Sequence, residues 1–538
     1  MTNHAGYRIV LTADRATMTD YSGADILGFL LCLPYRLVPK YLLARVLAPP
    51  IEADEQGRAL VAPYPLRKIE AALYASGFSP DEVAVVPPEK LESAVGPGTA
   101  LVGLHVLDPL GLAPVPHTLS SIMGGGASCT RLLFLNLMRR VLELKHRYGF
   151  KLVAGGPGTW QIRLVREKLS IDCLVHGEGE LVFPELCRRV LRGEKLPPEV
   201  DGGSVPVEHI PAIRAPSRNG LIQITRGCPR RCQFCDPTMF NFRSMPIELI
   251  RAEAEVNARA GFSYIGLATE DGLLYGARGI EVNRRAVLRL ASTLRALGVR
   301  AGFCHLSAAS IVQGEDVLAE WAHIFGYSHA EPEFPQLGLE TGSPRLIRRY
   351  MAGKPRPWGP EDWPWLVKEA THILNENALY PCYTLILGLP GEREDDVLAT
   401  LELVDELKGL GCWLFPLLFV PIGRSLLRNA GFAVLERSFT PAHWELLARC
   451  IEHDIGFSRR ILSLLLRGVR GSLAQRMIRS FIEMGLDAVE EAVDRLRSDP
   501  LGLLEQASTL NIFSAGLRQT AVFLKTFIIR KSLAHARA

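Results

Sequence analysis

The chain has 538 residues, 48% hydrophobic and 22% charged, with a formal net charge of +4. That length supports about three domains, none needing disulfides to stay folded. A charge so close to neutral, with no basic stripe interleaved with aromatics, argues against a nucleic-acid partner. Eleven cysteines fit a reducing, cytoplasmic setting. Outside one triplet they are scattered: Cys32, Cys129, Cys173, Cys187, Cys304, Cys382, Cys412 and Cys450 read as small buried apolar side chains.

The N-terminus is polar and leads straight into a strand, so no signal peptide is expected. No apolar run reaches the roughly 18 residues that span a bilayer. The longest candidate, residues 26–43, is interrupted by Pro34, Arg36, Pro39 and Lys40. Residues 1–200 then alternate apolar strands with amphipathic helices. Strands are expected at 8–14, 82–86, 100–106, 151–156 and 172–177. Helices are expected at 66–78, where Leu66, Ile69 and Leu73 share a face and Gly77 stops the run, at 132–149, near 161–169, and through Leu186. This alternation predicts a doubly wound parallel sheet, whose ligands bind outside the carboxyl ends of the strands. Two glycine-rich turns follow strands there, GGPGTW (155–160) and HGEGE (176–180). Either can bring backbone close to a ligand; either can equally be a tight strand–helix turn. Residues 201–219, rich in Pro, Gly and Ser, read as a linker.

The stretch LIQITRGCPRRCQFCD (221–236) places Cys228, Cys232 and Cys235 within eight residues in a C-x-x-x-C-x-x-C order, with Phe234 before the last. Three thiolates so arranged can hold three irons of a [4Fe–4S] cubane. A structural zinc site would want a fourth protein ligand, and none is obvious. Arg226, Arg230 and Arg231 make the loop basic, which suits a cluster with anionic ligands. This loop resembles that of the radical S-adenosylmethionine (radical SAM) enzymes. In that family the amino and carboxylate groups of S-adenosylmethionine chelate the open fourth iron, and the reduced cluster cleaves the sulfonium to a 5′-deoxyadenosyl radical. The resemblance also implies an electron donor of the ferredoxin or flavodoxin type.

Placed ahead of this loop, residues 1–200 resemble the cobalamin-binding domain of cobalamin-dependent members. The resemblance implies His105, Gly155, Gly156, Pro157, Gly177, Glu178 and Gly179 as cobalamin contacts. It has one departure: the D-x-H-x-x-G signature carrying a lower cobalt ligand is absent, and His105 lies in a different context. A retained but empty domain is the competing reading.

Residues 220–430 read as an incomplete (β/α)6 barrel. A helix is expected at 247–261 and a strand at 263–276 ending in Thr269, Glu270 and Asp271. In the family, this strand end meets the amino group of S-adenosylmethionine, which implies Thr269 and Glu270, with Asp271 able to share the role or to cap a helix. A third strand is expected at 300–307. Gly338-Leu339-Glu340-Thr341-Gly342-Ser343 resembles the family's ribose- and carboxylate-cradling element, implying Glu340, Thr341 and Ser343. The strand at 384–392 ends in Gly388, implied near the adenine, and a helix follows from about Asp395. Phe234 is implied beside the cofactor. Residues 412–423 read as the last barrel strand, buried on both faces, and Tyr275 and Cys304 are expected to face the barrel. The stretch 351–370 resembles a group of archaeal proteins combining both domains.

Residues 431–538 are expected to be helical, at 459–469 and 472–498 among others. The last stretch carries Arg518, Lys525, Arg530, Lys531 and Arg537 with no acid. A basic amphipathic helix can pack on its own protein or lie on an anionic membrane. With the apolar stretches 26–43 and 107–116, it makes a lipid-like substrate and peripheral membrane contact a reasonable expectation. The expected activity is therefore functionalisation of an unactivated carbon of a small-molecule or lipid substrate, by C-methylation or by C–C bond formation on an isoprenoid or tetraether lipid. Two readings compete with it. A methylthiotransferase would need three further clustered cysteines. A cobalamin- or redox-sensing iron–sulfur protein would not cleave S-adenosylmethionine.

Overall fold

The structure is a computed structural model that describes residues 6–21, 27–236, 240–435, 439–465 and 472–509. It is an α/β architecture with two parallel-strand units and a helical C-terminal region.

The first unit is a six-stranded parallel sheet in the order β2-β1-β3-β4-β5-β6. Its strands are β1 (Ile9–Ala13), β2 (Val83–Val85), β3 (Leu101–His105), β4 (Lys151–Gly155), β5 (Cys173–His176) and β6 (Glu199–Asp201). Strands β1 to β3 are nearly unbroken apolar runs because helices cover both faces, and every residue of β1 is buried. The helix Cys129–Tyr148 starts where the Ser128 side chain accepts from the Arg131 N–H and stops at Gly149, whose φ of 76° gives the left-handed turn such helix ends favour. The strand order reverses between β1 and β3, the usual crevice of doubly wound sheets. The helix expected near 161–169 is two short turns, Thr159–Arg163 and Glu167–Leu169.

The stretch expected as a linker does not run free. Its first residue ends β6, which extends the sheet beside β5. Val205, Ile210, Ile213 and Ser217 are buried, because this stretch is sandwiched between the two units. There Glu253 accepts from both Lys68 Nζ (2.5 Å) and the Ile213 N–H (3.1 Å). Pro, Gly and Ser supply an irregular path here, not mobility.

The second unit has two three-stranded parallel sheets, β11-β10-β7 and β12-β13-β14. The strands are β7 (Ile222–Gln223), β10 (Tyr264–Ala268), β11 (Arg300–Phe303), β12 (Gln336–Glu340), β13 (Cys382–Leu387) and β14 (Trp413–Leu418), while β8 (Thr225–Arg226) and β9 (Arg243–Ser244) pair as an antiparallel ribbon. A parallel bridge between His305 and Gln336 joins the two sheets, so the six parallel strands form an open, partial barrel with β7 and β14 at its edges. Alternate side chains of β13 show its two faces. Tyr383, Leu385 and Leu387 are buried against the outer helices, while Cys382, Thr384 and Ile386 are only half-buried on the concave face. The expectation of double burial fails for β14 for the same reason: Leu414 and Leu418 are buried, whereas Phe415 and Leu417 line the concave side and stay half-buried.

The edge of β14 is not left unpaired. The Leu418 N–H donates to Thr118 Oγ1 (2.8 Å) on the helix Pro114–Ile122, and the Leu414 N–H donates to Asp454 (2.7 Å) on the helix Pro441–Leu465. That helix and the helices Ser472–Ser498 and Pro500–Thr509 make the C-terminal region. No helix among the described residues is long and apolar enough to cross a membrane. The basic positions Arg518, Lys525, Arg530, Lys531 and Arg537 lie outside the described residues.

Candidate functional site

The cysteine loop leaves β8 at the carboxyl end of β7, with Gly227 (φ 77°) and Arg231 (φ 54°) in the left-handed region. Such a conformation costs a non-glycine residue about 1 kcal/mol or more, and two buried anchors hold the loop in it. Arg230, 4% exposed, donates to the carbonyls of Lys354 (2.8 Å) and Arg356 (3.1 Å) and to Asp271 (3.3 Å). Asp271 is 2% exposed and also accepts from Ser307 (2.5 Å) and Ser310 (2.6 Å). Its carboxylate is thus fully engaged by protein, so Asp271 positions the loop and is not open to share the amino-group contact.

The three thiols sit on this loop. Burial pushes Cys228 up to about 11. A hydrogen bond between Cys232 and Cys235 lowers the Cys232 thiol and raises Cys235. Lys354 and Arg230 add positive potential that favours the Cys232 thiolate. Among the described residues no three Cys, His, Asp or Glu side chains are grouped to hold a metal ion. That bears on sites where side chains converge on one ion; a cubane instead takes one thiolate on each of three irons. The donor chemistry and the surrounding cations therefore fit an iron–sulfur cluster.

Glu340 and Lys354 complete this neighbourhood. The Lys354 ammonium is buried, 2.7 Å from Glu340 Oε1, and stands 5.6 Å from the Trp363 ring centroid. Burial opposes its charge, yet Glu340 and the nearby cysteines hold its pKa above the usual lysine value. Glu340 itself has φ 64° at a register shift in β12, a strained placement of the kind found where side-chain direction matters.

The remaining expected S-adenosylmethionine contacts divide sharply. Glu270 is exposed at the carboxyl end of β10. Thr269 is buried and shares a hydrogen bond with Thr225 (2.6 Å). Thr341 is bonded to Thr400 (3.0 Å), and Ser343 donates to Asp396 (2.5 Å) while capping the following helix. Gly388 (φ 80°) donates its N–H to Glu392 (2.7 Å), and a Cβ there would stand 2.5 Å from Ala433. Phe234 packs half-buried on the barrel core. The Glu270 carboxylate is thus exposed at its strand end, Glu340 is buried and paired with Lys354 at the end of β12, and Thr341, Ser343 and Gly388 are bonded within the protein. Tyr275 is buried with its hydroxyl donating to the Met245 carbonyl (3.1 Å), so it does not open into the barrel. Cys304 is half-buried just beyond β11.

A cavity of about 590 Å³ lies between the carboxyl ends of β4–β6 and the loop after β14. Its walls include Trp160, His176, Asp201, Arg424, Arg428 and Phe432. His176 is held on both ring nitrogens, by Thr159 (3.1 Å) and Glu199 (3.3 Å). Asp201 bonds Arg424 (2.6 Å) across the cleft. The cavity wall touches the cysteine loop directly: the Arg424 N–H donates to Asp236 (3.4 Å), next to Cys235, and the Leu426 N–H donates to the Gln233 carbonyl (3.1 Å).

None of the seven expected cobalamin contacts borders this cavity, apart from lying on the same sheet. His105 is half-buried at the end of β3, and desolvation of its ring pulls its pKa down to about 4. Gly156 (φ 117°) leaves no space for a side chain between itself, the Val106 carbonyl and the His105 ring, and Gly179 packs on Ile69. Gly155 ends β4, Pro157 follows Gly156 in the turn, and Gly177 (φ 75°) turns against Gly203. Gly156, Gly177 and Gly179 thus lie close against other parts of the chain. Glu178 is the most heavily engaged of the seven. Its carboxylate is taken by Arg226 (2.6 Å), by Arg243 and by the Val205 N–H (2.9 Å), while Glu180 also pairs with Arg226. HGEGE is therefore a clasp that ties the N-terminal sheet to the strand feeding Cys228. Sequence reasoning missed the pairings of Arg226 and Lys354 and the cavity positions of Trp160 and His176, since each depends on residues far off in the chain.

The Radical SAM superfamily model matches residues 222–404, so this part of the chain is a radical SAM domain. A tRNA-2-methylthio-N(6)-dimethylallyladenosine synthase of Magnetococcus marinus is 25% identical over 275 residues, covering 50% of this chain. The match spans 60% of that relative's length. Two solved structures of the radical S-adenosylmethionine methyltransferase TsrM of Kitasatospora setae share the fold. One, with cobalamin and a [4Fe–4S] cluster bound, has 16% identity and a TM-score of 0.51, covering 78% of this chain and 77% of that one. The other, with tryptophan substrate and a SAM analogue bound, has 17% identity and a TM-score of 0.53, covering 78% and 75%.

Proposed function

We propose that the chain is a radical SAM enzyme that functionalises an unactivated carbon, with cobalamin seated between its two parallel-strand units. Cys228, Cys232 and Cys235 would hold a [4Fe–4S] cluster, which supplies the electron that cleaves S-adenosylmethionine to a 5′-deoxyadenosyl radical. Lys354 and Arg230 offset the negative charge of the thiolates, and Glu270 and Glu340 offer carboxylates to the cofactor's amino and ribose groups. The observation that carries the reading is the cavity at the carboxyl ends of β4–β6. One wall of it is bonded to the residue next to Cys235, so a group bound there lies against the cluster loop. A cobalamin in that cleft would supply a transferable methyl group, as fits C-methylation; C–C bond formation on an isoprenoid or tetraether lipid is the other outcome of the same radical.

The curated relative favours a second reading, methylthiolation. It is weakened by the cysteines of the N-terminal unit: Cys32, Cys129, Cys173 and Cys187 are scattered along its sequence, and no three of them cluster there. The test is anaerobic. The protein is reconstituted with iron, sulfide and hydroxocobalamin, its absorption spectrum is recorded, and 5′-deoxyadenosine is assayed after adding S-adenosylmethionine and reductant. Bound cobalamin with 5′-deoxyadenosine is expected. A cluster-replete protein that releases no 5′-deoxyadenosine would favour the sensing role, and full cleavage by Cys232→Ala would sink the enzyme reading.

A further inference from the structure

The segment 27–48 crosses the N-terminal unit as short helical turns and builds a small core of its own. Leu31, Val38, Leu43 and Leu47 are buried there with Ala16 and Cys129. With those side chains inside, the outward positions of a mere covering segment should be polar. They are not: Leu30 is 40% exposed, Tyr35 47%, Tyr41 76% and Val46 40%. The cations Arg36, Lys40 and Arg45 are interspersed with them, also exposed, and no acid occurs from residue 27 to residue 51. Arg36 rests on the carbonyls of Met123 and Gly125.

Single exposed apolar side chains are ordinary. Four of them threaded among three cations on one short segment match an interfacial membrane contact, in which basic groups meet anionic headgroups and tyrosine and aliphatic side chains enter the acyl boundary. We propose that segment 27–48 docks this protein on an anionic lipid bilayer. The charge excludes the nearest alternatives. The chain's own last residues, 510–538, carry only basic charge and repel the segment. A second copy pairing through the same patch would bring like charges together.

The segment also reaches the barrel. Phe29 stacks on Phe415, on the concave face of β14, with ring centroids 5.4 Å apart and planes 10° from parallel. Docking through residues 30–46 therefore sets a bilayer beside an apolar segment that touches the barrel interior. The docking inference rests on exposure and charge, and it stands even if the radical chemistry does not.

The test is co-sedimentation of the full-length protein with vesicles of phosphatidylcholine alone or with a minority of phosphatidylglycerol. Binding to the anionic vesicles, weakened by salt, is expected. Lys40→Glu with Arg45→Glu should reduce it by roughly tenfold or more, two charges near the surface being reversed, and Tyr41→Ser with Val46→Ser should reduce it several-fold without changing the thermal unfolding profile. Substituting Lys525, Arg530 and Lys531 by Gln should leave most of the binding. The proposal is overturned if both patch variants bind as wild type, if the tail variant alone abolishes binding, if neutral vesicles bind equally well, or if the patch variants change only self-association.

Discussion

Arg226 carries the contact between the N-terminal sheet and the cysteine loop, and its removal has a definite expected cost. Its guanidinium is 12% exposed and bonds Glu178, Glu180 and Gln223 (2.7 Å). Arg226→Met keeps the aliphatic volume and deletes the charge. Glu178 still has Arg243, but Glu180, 5% exposed, loses the cation it is bonded to. Breaking a buried ion pair from one side typically costs about 3–5 kcal/mol, because an uncompensated charge is left inside.

The pH dependence separates this cause from simple loss of packing. Burial alone would raise the Glu180 carboxyl, but Arg226 outweighs it and holds the pKa below the ordinary 4.5. In the wild type the pair therefore stabilises fully above pH 4.5 and loses its contribution only as pH falls through the lower folded value. In Arg226→Met the same burial, no longer offset by Arg226, raises the folded pKa above the unfolded one, so the variant gains stability as pH falls toward it. Urea unfolding should show the deficit largest at about pH 7 and smaller at about pH 5. Adding Glu180→Gln should recover about 1–2 kcal/mol at neutral pH, since the buried charge is gone. An equal deficit at both pH values, with no recovery in the double variant, would refute the reasoning.

Lys354→Met should retain iron but lower 5′-deoxyadenosine formation at least about tenfold, because a buried cation beside the thiolates and Glu340 is lost; Lys354→Arg should restore part of it, and unchanged turnover in the Met variant would exclude the role. Asp271→Asn leaves Arg230 buried without its carboxylate and should destabilise by about 3–5 kcal/mol, measured by urea unfolding alongside iron content. His105 has a folded pKa of about 4, below its unfolded value of about 6.5, so it binds fewer protons in the folded state. Stability should therefore fall as pH drops from about 6.5 toward 4, by up to about 3 kcal/mol, and His105→Gln should flatten that slope; equal slopes in the two proteins would contradict burial as the cause.

What the sequence made legible follows from the range of the interactions involved. The strands of both units announce themselves through local apolar runs, and the cysteine loop through three residues within eight. The stretch around Glu340 stands out because its motif is also local. What the sequence could not show are pairings across the fold. Gly156, Gly177 and Gly179 have the signature of a ligand turn, yet their freedom is used against Val106, Gly203 and Ile69. Glu178 sits in a glycine-rich turn, yet its carboxylate meets Arg226 and Arg243, 48 and 65 residues away. Residues 201–219 had linker composition, and only the docking of two units makes that path buried.

The same pairings tie the cleft at the carboxyl ends of β4–β6 to the cysteine loop. Glu178 and Glu180 hold the strand entering the loop, Arg230 and Asp271 hold its middle, and the backbone of Arg424 and Leu426 holds its exit. Two of these three ties run to the N-terminal sheet or to the cavity wall. A group filling the cavity would press on Arg424, and through its N–H on Asp236 beside Cys235. Occupancy of the cleft should therefore alter the environment of the cluster loop before any substrate arrives. The electron paramagnetic resonance spectrum of the reduced cluster, recorded with and without hydroxocobalamin, reads this out directly. A shifted spectrum is expected in the wild type. Identical spectra from samples with and without bound cobalamin would mean that the shared wall transmits nothing.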